Sequence, residues 1–392
     1  MERYKYLIVG GGMTADSAVR GIRELDSAGS IGLISAETVS PYDRPPLSKA
    51  LWKGKDLESI WRKTADVAGV KFHLGTTAAR IDVAQHQVVD DGAGVYSYDK
   101  LLLATGGLPR RLPFGQDSII YFRNLDDYRR LRALTGEGDR FAVIGGGFIG
   151  SEIAAALTMN GKHVVMVFPE TGIGALALPA DLSEAITNYY REKGVEVLTG
   201  KSVDGLDQNG NRFRVHVSDR EAITVDGVIA GIGIVPNVDL AKKANLEVSD
   251  GIVVDEFLRT TTDIYAAGDV ARFFSPALNK RLRVEHEDNA NTMGRAAGRN
   301  MAGASEPYTH LPFFYSDLFE LGYEAIGELD PRLQTVSKWK EPFREGIVYY
   351  LRDGTVRGVV LWNVWEKVEK ARALISEGHP FTPAELDAAI PI

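Results

Sequence analysis

Tyr6-Leu7-Ile8-Val9-Gly10-Gly11-Gly12-Met13-Thr14-Ala15 decides the fold: an apolar run, a glycine cluster, then the start of a helix-compatible stretch. The run reads as a buried parallel strand. It ends where the backbone must turn sharply and come close to a pyrophosphate, which only glycine permits without a Cβ clash. The helix through Asp16-Ser17-Ala18-Val19-Arg20-Gly21-Ile22 would aim its N-terminal amides at the phosphates. A second strand, residues 31–34, then leads to Glu37.

The same grammar recurs 135 residues later in Phe141-Ala142-Val143-Ile144-Gly145-Gly146-Gly147-Phe148-Ile149-Gly150, with a helix over residues 151–160, a strand over 164–168 and Glu170 beyond it. One such fingerprint is weak evidence for a nucleotide, but a duplicated unit of domain length reads as two dinucleotide sites. An acid at the end of the second strand accepts hydrogen bonds from ribose hydroxyls and repels a 2′-phosphate, so Glu170 argues for NADH over NADPH. The alternative makes Glu37 and Glu170 ordinary solvated loop acids.

With 392 residues, two or three domains are expected, and 44% hydrophobic residues support a large interior. The net charge of -8 is spread without long runs, so nucleic acid and acidic membrane surfaces are not expected partners. There is no cysteine. That removes disulfides, thiolate-bound metals and redox-active thiol mechanisms on this chain. No apolar stretch approaches the roughly 18 residues of a membrane span, the N-terminus shows no leader pattern, and a cytoplasmic location is the expectation.

Residues 100–107 read as a buried strand opening into the glycine turn Ala104-Thr105-Gly106-Gly107; Pro109 and Pro113 then mark a crossing between domains. The second unit closes on residues 227–237, which contain Gly233. Thr262-Asp263-Ile264-Tyr265-Ala266-Ala267-Gly268-Asp269 reads as another buried strand that ends on a carboxylate, either a sugar ligand or a helix N-cap. From Tyr308 the pattern turns to alternating strands, with Asp353-Gly354 as a hairpin turn. An amphipathic helix over 365–377 follows, with Val368, Ala371, Ala373 and Leu374 on its apolar side.

Together, the two fingerprints, Ala104-Thr105-Gly106 and Ala267-Gly268-Asp269 resemble the glutathione-reductase-like flavoprotein superfamily. Ser40-Pro41-Tyr42-Asp43-Arg44-Pro45-Pro46-Leu47-Ser48-Lys49 is similar to the flavin-side loop of class I ferredoxin reductases and the apoptosis-inducing-factor group. Val284-Glu285-His286-Glu287-Asp288-Asn289-Ala290, Gly322-Tyr323-Glu324-Ala325-Ile326-Gly327, and Tyr350-Leu351-Arg352-Asp353 with Leu361-Trp362-Asn363 look most like the latter. The resemblance implies an α/β chain with two Rossmann-like dinucleotide-binding domains and a C-terminal α+β interface domain. The FAD domain would be discontinuous, over 1–112 and 238–305, with the NAD domain inserted at 113–237 and the last domain at 306–392.

Carried over residue by residue, the resemblance places Gly10, Gly12 and Ala15 around the FAD pyrophosphate, Glu37 on its adenosine ribose and Asp269 on the ribityl side, with Ala104, Thr105 and Gly106 in the same site. Arg44 and Lys49 would pass the flavin ring, Lys49 pairing with Glu152; the alternative is two unrelated surface charges. Gly145, Gly147, Gly150, Glu170 and Gly233 would serve NADH. Phe148 would be the aromatic that swings aside for the nicotinamide, or else a core phenylalanine. Glu285 and His286 would approach the flavin and the nicotinamide amide, with a structural histidine as the other reading. Tyr315 stands where relatives usually place a tryptophan, which weakens stacking on the nicotinamide.

The implied activity is hydride transfer from NADH to flavin N5, with Lys49, Glu152, Arg44 and Glu285 shaping the field, and onward transfer to ferredoxin, rubredoxin, a quinone or another small acceptor. Arg110, Arg111, Arg281 and Arg283 are candidates for a docking patch or plain solvated arginines. The competing reading is a redox-gated interaction protein whose NADH-bound state controls oligomerisation. A homodimer is expected, and no metal site.

Overall fold

The computed structural model describes residues 1–392. Two compact units emerge: Met1–Asp43 with Glu58–Leu108 and Val235–Phe313, and Arg44–Leu57 with Pro109–Ile234 and Phe314–Ile392.

In the first unit, strands Val70–Leu74, Ile31–Ser35, Glu2–Val9 and Val95–Leu103 lie side by side in a seven-stranded sheet, all parallel. The free edge of Val95–Leu103 is shared. Its beginning pairs antiparallel with Gln87–Asp90 and its end parallel with Ile264–Ala266. The central strands are buried on both faces, which is why they read as continuous apolar runs. Four parallel strands therefore end at one edge, and the segments holding Gly10, Glu37, Ala104 and Asp269 leave from there.

The helix Met13–Leu25 packs on the helix Glu287–Met301 at a backbone-to-backbone approach that only glycine allows. A Cβ on Gly298 would stand 2.1 Å from the Ala18 carbonyl oxygen, and one on Gly294 2.4 Å from that of Thr14.

The second unit repeats the parallel design. Its strands run in the order Glu196–Thr199, His163–Phe168, Arg140–Ile144, Gly227–Ala230 and Ile119–Tyr121. Helices Leu125–Glu137, Phe148–Met159 and Ala180–Glu192 alternate with these strands along the chain. The C-terminal part is a five-stranded sheet in the order Phe313–Leu318, Leu321–Gly327, Thr355–Trp362, Glu345–Arg352, Gln334–Glu341. Asp353 and Gly354 both take positive φ in the predicted hairpin turn, at 50° and 77°. The helix after it begins later than its sequence pattern suggests, at Val368, and buries Ala371, Leu374 and Ile375, whereas Ala373 is exposed. The rotation follows from Ile375, a larger apolar side chain than Ala373, taking the inward place.

Residues 44–57, expected in the first domain by chain order, cluster with the second unit. Trp52 explains this. Its ring is buried against Tyr128, edge-on at 5.7 Å, beneath the Arg132 guanidinium at 4.8 Å. Its indole N–H donates to the Leu47 carbonyl at 2.7 Å, so the segment is folded on itself as well.

Candidate functional site

In the first unit the turn after Glu2–Val9 depends on Gly10, whose φ is +130°; a Cβ there would lie 2.1 Å from the Ala104 carbonyl oxygen. Gly12 caps the following helix with no side-chain hydrogen bond, and a Cβ on it would meet no protein atom within 4 Å. The amide end of the helix thus opens onto free space, as a phosphate requires. The first fingerprint keeps Ala15 at its last position, buried in that first turn.

Around this opening stand the other predicted residues. Glu37 follows the second strand and accepts a hydrogen bond from the Tyr42 hydroxyl at 2.7 Å. Gly106 has φ +63°, and its carbonyl accepts from the Asn237 amide while the Thr105 hydroxyl donates to the Asn237 carbonyl at 2.7 Å. Asp269 sits in the short helical turn Gly268–Val270, capped by Ala267, so the N-cap alternative for Asp269 does not hold.

His286 is the N-cap residue of Glu287–Met301. Burial pushes its imidazole down to about 4 against the pull of Asp269 and Asp288, so it is neutral at physiological pH. Glu285 accepts from Arg283 at 2.9 Å, and Arg283 also bonds Asp250 and the Asp269 carbonyl. With its side chain only 10% exposed, Arg283 is committed inside the first unit, and Arg281 donates to the Val254 carbonyl. Arg283 is therefore not a bare surface cation, whereas Arg281 stays exposed.

In the second unit Gly145, at φ +110°, and Gly150 pack backbone to backbone. A Cβ on Gly150 would be 2.1 Å from the Gly145 carbonyl oxygen, and one on Gly145 2.4 Å from that of Gly231. Gly147 is the counterpart of Gly12: it caps Phe148–Met159, and a Cβ on it meets nothing within 4 Å. Phe148 is 39% exposed and touches Phe314 at 4.8 Å between ring centres, so it is not a core phenylalanine. Glu170 follows the second strand, and its carboxylate makes no bond within the chain. Gly233, at φ +89°, lies beyond Gly227–Ala230, and its carbonyl accepts from the Arg110 amide.

Lys49 and Glu152 are not unrelated surface charges. The Lys49 ammonium lies 2.7 Å from a Glu152 carboxylate oxygen, with the side chains only 10% and 3% exposed. The ammonium also faces the Tyr315 ring at 5.1 Å. Arg44 donates to the Arg123 carbonyl at 2.9 Å, on the same folded segment.

Two sets of residues were not singled out by sequence. Ser48 and Ser316 both hydrogen-bond Glu152, at 2.6 and 2.7 Å. Asp16, fully buried in the first turn of Met13–Leu25, holds Arg20, Arg62 and Thr64, and Arg62 continues to Asp43 and Asn291. A lone acid in the first turn of an otherwise apolar and small-residue helix start was the available signal for Asp16. Nothing local marked the serines. No helix is long and apolar enough to cross a membrane.

Comparison with known proteins gives one coherent answer. The model of the pyridine nucleotide-disulphide oxidoreductase family matches residues 4–294, and that of the C-terminal region of mitochondrion-associated apoptosis-inducing factor matches 297–342 and 337–377. Apoptosis-inducing factor 1 of Dictyostelium discoideum is 36% identical over 96% of this chain and 79% of its own length. The ferredoxin–NAD(+) reductase component of the anthranilate 1,2-dioxygenase system of Burkholderia cepacia is 33% identical over 98% of this chain and 97% of its own. Among solved structures, putidaredoxin reductase in its covalent complex with putidaredoxin superposes with a TM-score of 0.90 at 30% identity, covering 98% of this chain and 95% of that one.

Proposed function

The chain belongs to the pyridine nucleotide-disulphide oxidoreductase family, and from that premise we propose an FAD-dependent NADH oxidoreductase that passes electrons to a small iron–sulfur protein of the ferredoxin type. The family name contains a disulphide, but this chain has no cysteine; no thiol pair of its own takes part.

The observation that carries the reading is the pair of open helix N-termini at Gly12 and Gly147, each at the carboxyl edge of its own parallel sheet. The residues fit two dinucleotides. Gly10, Gly12 and Ala15, with Glu37, Ala104, Thr105, Gly106 and Asp269, hold FAD. Gly145, Gly147, Gly150, Glu170 and Gly233 hold NADH, and the exposed ring of Phe148 yields as the nicotinamide enters.

FAD, once held there, would supply the capacity to take up a hydride and to release electrons one at a time. The chain orients and charges the surroundings: Lys49, fixed on Glu152, presents an ammonium that favours reduction, aided by Arg44, while neutral His286, Glu285 and Tyr315 shape the nicotinamide's surroundings. The reaction asks no side chain to act as general acid or base.

The ferredoxin-type acceptor is supported by the named partners of the Burkholderia cepacia reductase and of putidaredoxin reductase. Anaerobic NADH should bleach the yellow protein, and cytochrome c reduction should rise when a ferredoxin is added. No stimulation by ferredoxin would reject the acceptor, and protein that takes up no FAD would reject the reading itself.

A redox-gated interaction role is the second reading, favoured by the match of residues 297–377 to the apoptosis-inducing-factor C-terminal region. It predicts slow NADH reduction, a long-lived charge-transfer band and an NADH-dependent change in elution volume; an unchanged volume counts against it. A cytoplasmic homodimer completes the proposal, checked by cell fractionation and by light scattering of the oxidised protein.

A further inference from the structure

Glu152 is a buried carboxylate with both oxygens occupied by donors from separate parts of the chain. One oxygen accepts from the Ser48 hydroxyl at 2.6 Å and the Lys49 ammonium at 2.7 Å. The other accepts from the Ser316 hydroxyl at 2.7 Å. Ser48, Glu152 and Ser316 are 5%, 3% and 0% exposed, so water does not substitute for a missing donor.

A lysine on four methylenes that met one carboxylate oxygen could follow the carboxylate as it turned about its own torsion. Here the plane of the carboxylate is fixed from both sides. Ser48 holds it from the folded segment that carries Lys49 itself, and Ser316 holds it from the strand Phe313–Leu318. Ser316 is fixed in turn, since it also hydrogen-bonds with the fully buried Tyr323, whose ring stacks on Trp362 at 5.5 Å. Burial keeps the phenols of Tyr190 and Tyr323 protonated, so no second negative charge forms beside Glu152. Tyr315, next to Ser316, sets its ring centre 5.1 Å from the same ammonium.

We infer that Ser48 and Ser316 are positioning residues: they lock the Glu152 carboxylate so that the Lys49 ammonium occupies one place, and the strand Phe313–Leu318 thereby helps to fix that charge. The inference rests on the proposed role of Lys49 beside the flavin. The C-terminal sheet then acts on Lys49 through a buried hydroxyl that reaches it only by way of Glu152.

The test uses the purified, flavin-loaded protein and its Ser316→Ala, Ser316→Thr and Ser48→Ala variants, with three readouts. The first is the rate at which an amine-reactive reagent modifies Lys49, followed by mass spectrometry. The second is the midpoint potential of the bound flavin, and the third is stopped-flow reduction by NADH. Lys49 modification is expected to speed up about ten-fold in both alanine variants, and the flavin-reduction rate constant to fall about ten-fold while NADH affinity stays within about two-fold. The flavin potential should move in both alanine variants. Ser316→Thr keeps the hydroxyl and should return every value to within about two-fold of the parent.

Unchanged Lys49 reactivity in both alanine variants overturns the inference, as does a Ser316→Thr variant that behaves like alanine. If Ser316→Ala does not fold, Ser48→Ala, acting on the other carboxylate oxygen, decides alone. A parent protein whose flavin ignores NADH defeats the functional reading, while the labelling comparison still judges the lock.

Discussion

The two glycine cradles share a backbone plan and differ in how their surroundings are tied. At the Gly12 cradle the acid after the second strand, Glu37, is held by Tyr42, the first helical turn is pinned through buried Asp16 and Arg62, and a glycine-faced helix clamps the fingerprint helix from outside. At the Gly147 cradle the matching acid, Glu170, has no partner in the chain, and Phe148 and Ile149 stand exposed at the opening. A site built from mutually fixed groups loses little further entropy on binding and suits a resident cofactor, whereas free side chains at an open lip suit a ligand that comes and goes. This difference accords with the proposal, carried by the family resemblance, that FAD occupies the first cradle and NADH the second.

The largest expected effect separates the cradles outright. Gly12→Val and Gly147→Val each place a side chain where no protein atom lies, at extended backbone that valine tolerates, so both should fold. Gly12→Val should purify colourless, whereas Gly147→Val should stay yellow and need roughly a hundred-fold more NADH for half-maximal reduction. Absorbance spectra and NADH titrations check this, and two colourless variants would break the distinction.

Next come the charges that belong to neither glycine turn. Lys49→Gln should slow flavin reduction by about ten- to a hundred-fold in stopped flow with NADH affinity little changed. Glu152→Ala differs, because Glu152 is buried. Removing the carboxylate strands the buried Ser48, Ser316 and Lys49 donors, a loss on the order of 3–5 kcal/mol visible in thermal melts. Glu152→Gln preserves the shape and is the variant in which rate can be read.

A smaller effect tests the free acid. Glu170→Ala should cut the preference for NADH over NADPH by about ten-fold, roughly 1.4 kcal/mol, measured as the ratio of kcat/KM values. An unchanged ratio removes Glu170 from the ribose site.

The smallest concerns His286 in the fixed cradle. Its folded value, about 4, lies below the ordinary 6.5, so between those values the unfolded chain binds a proton that the folded chain refuses. Its contribution to stability is complete above about pH 6.5 and fades as the pH falls toward 4. His286→Asn should therefore lose less melting temperature than the parent between about pH 7 and 5; identical losses would mean His286 is hydrated in the folded protein.

Some of this was legible residue by residue. Phe141–Ile144, Gly145 and the helix behind them are set by requirements within ten residues: an apolar run buried on both faces, a positive φ, and a close approach of two backbones. Tyr315 and Phe148 could be named, but their surroundings could not. Whether Phe148 is core or lip depends on a strand more than 150 residues away, whereas the inward face of the helix Val368–Glu377 shifted from Ala373 to Ile375 because the larger apolar side chain takes the buried place.

The sequence by itself determined two dinucleotide-binding units, their order and the absence of thiol chemistry, because glycine geometry, strand burial and composition are local properties. Only the tertiary structure decided that Ser48 and Lys49 meet Glu152 and Ser316 across separations of 104, 103 and 164 residues. It also showed that Glu37 is held while Glu170 is free. Hydrogen bonds between side chains so far apart impose no periodicity and no spacing on the chain, so they exist as a pattern only once the strands and helices have brought their ends together.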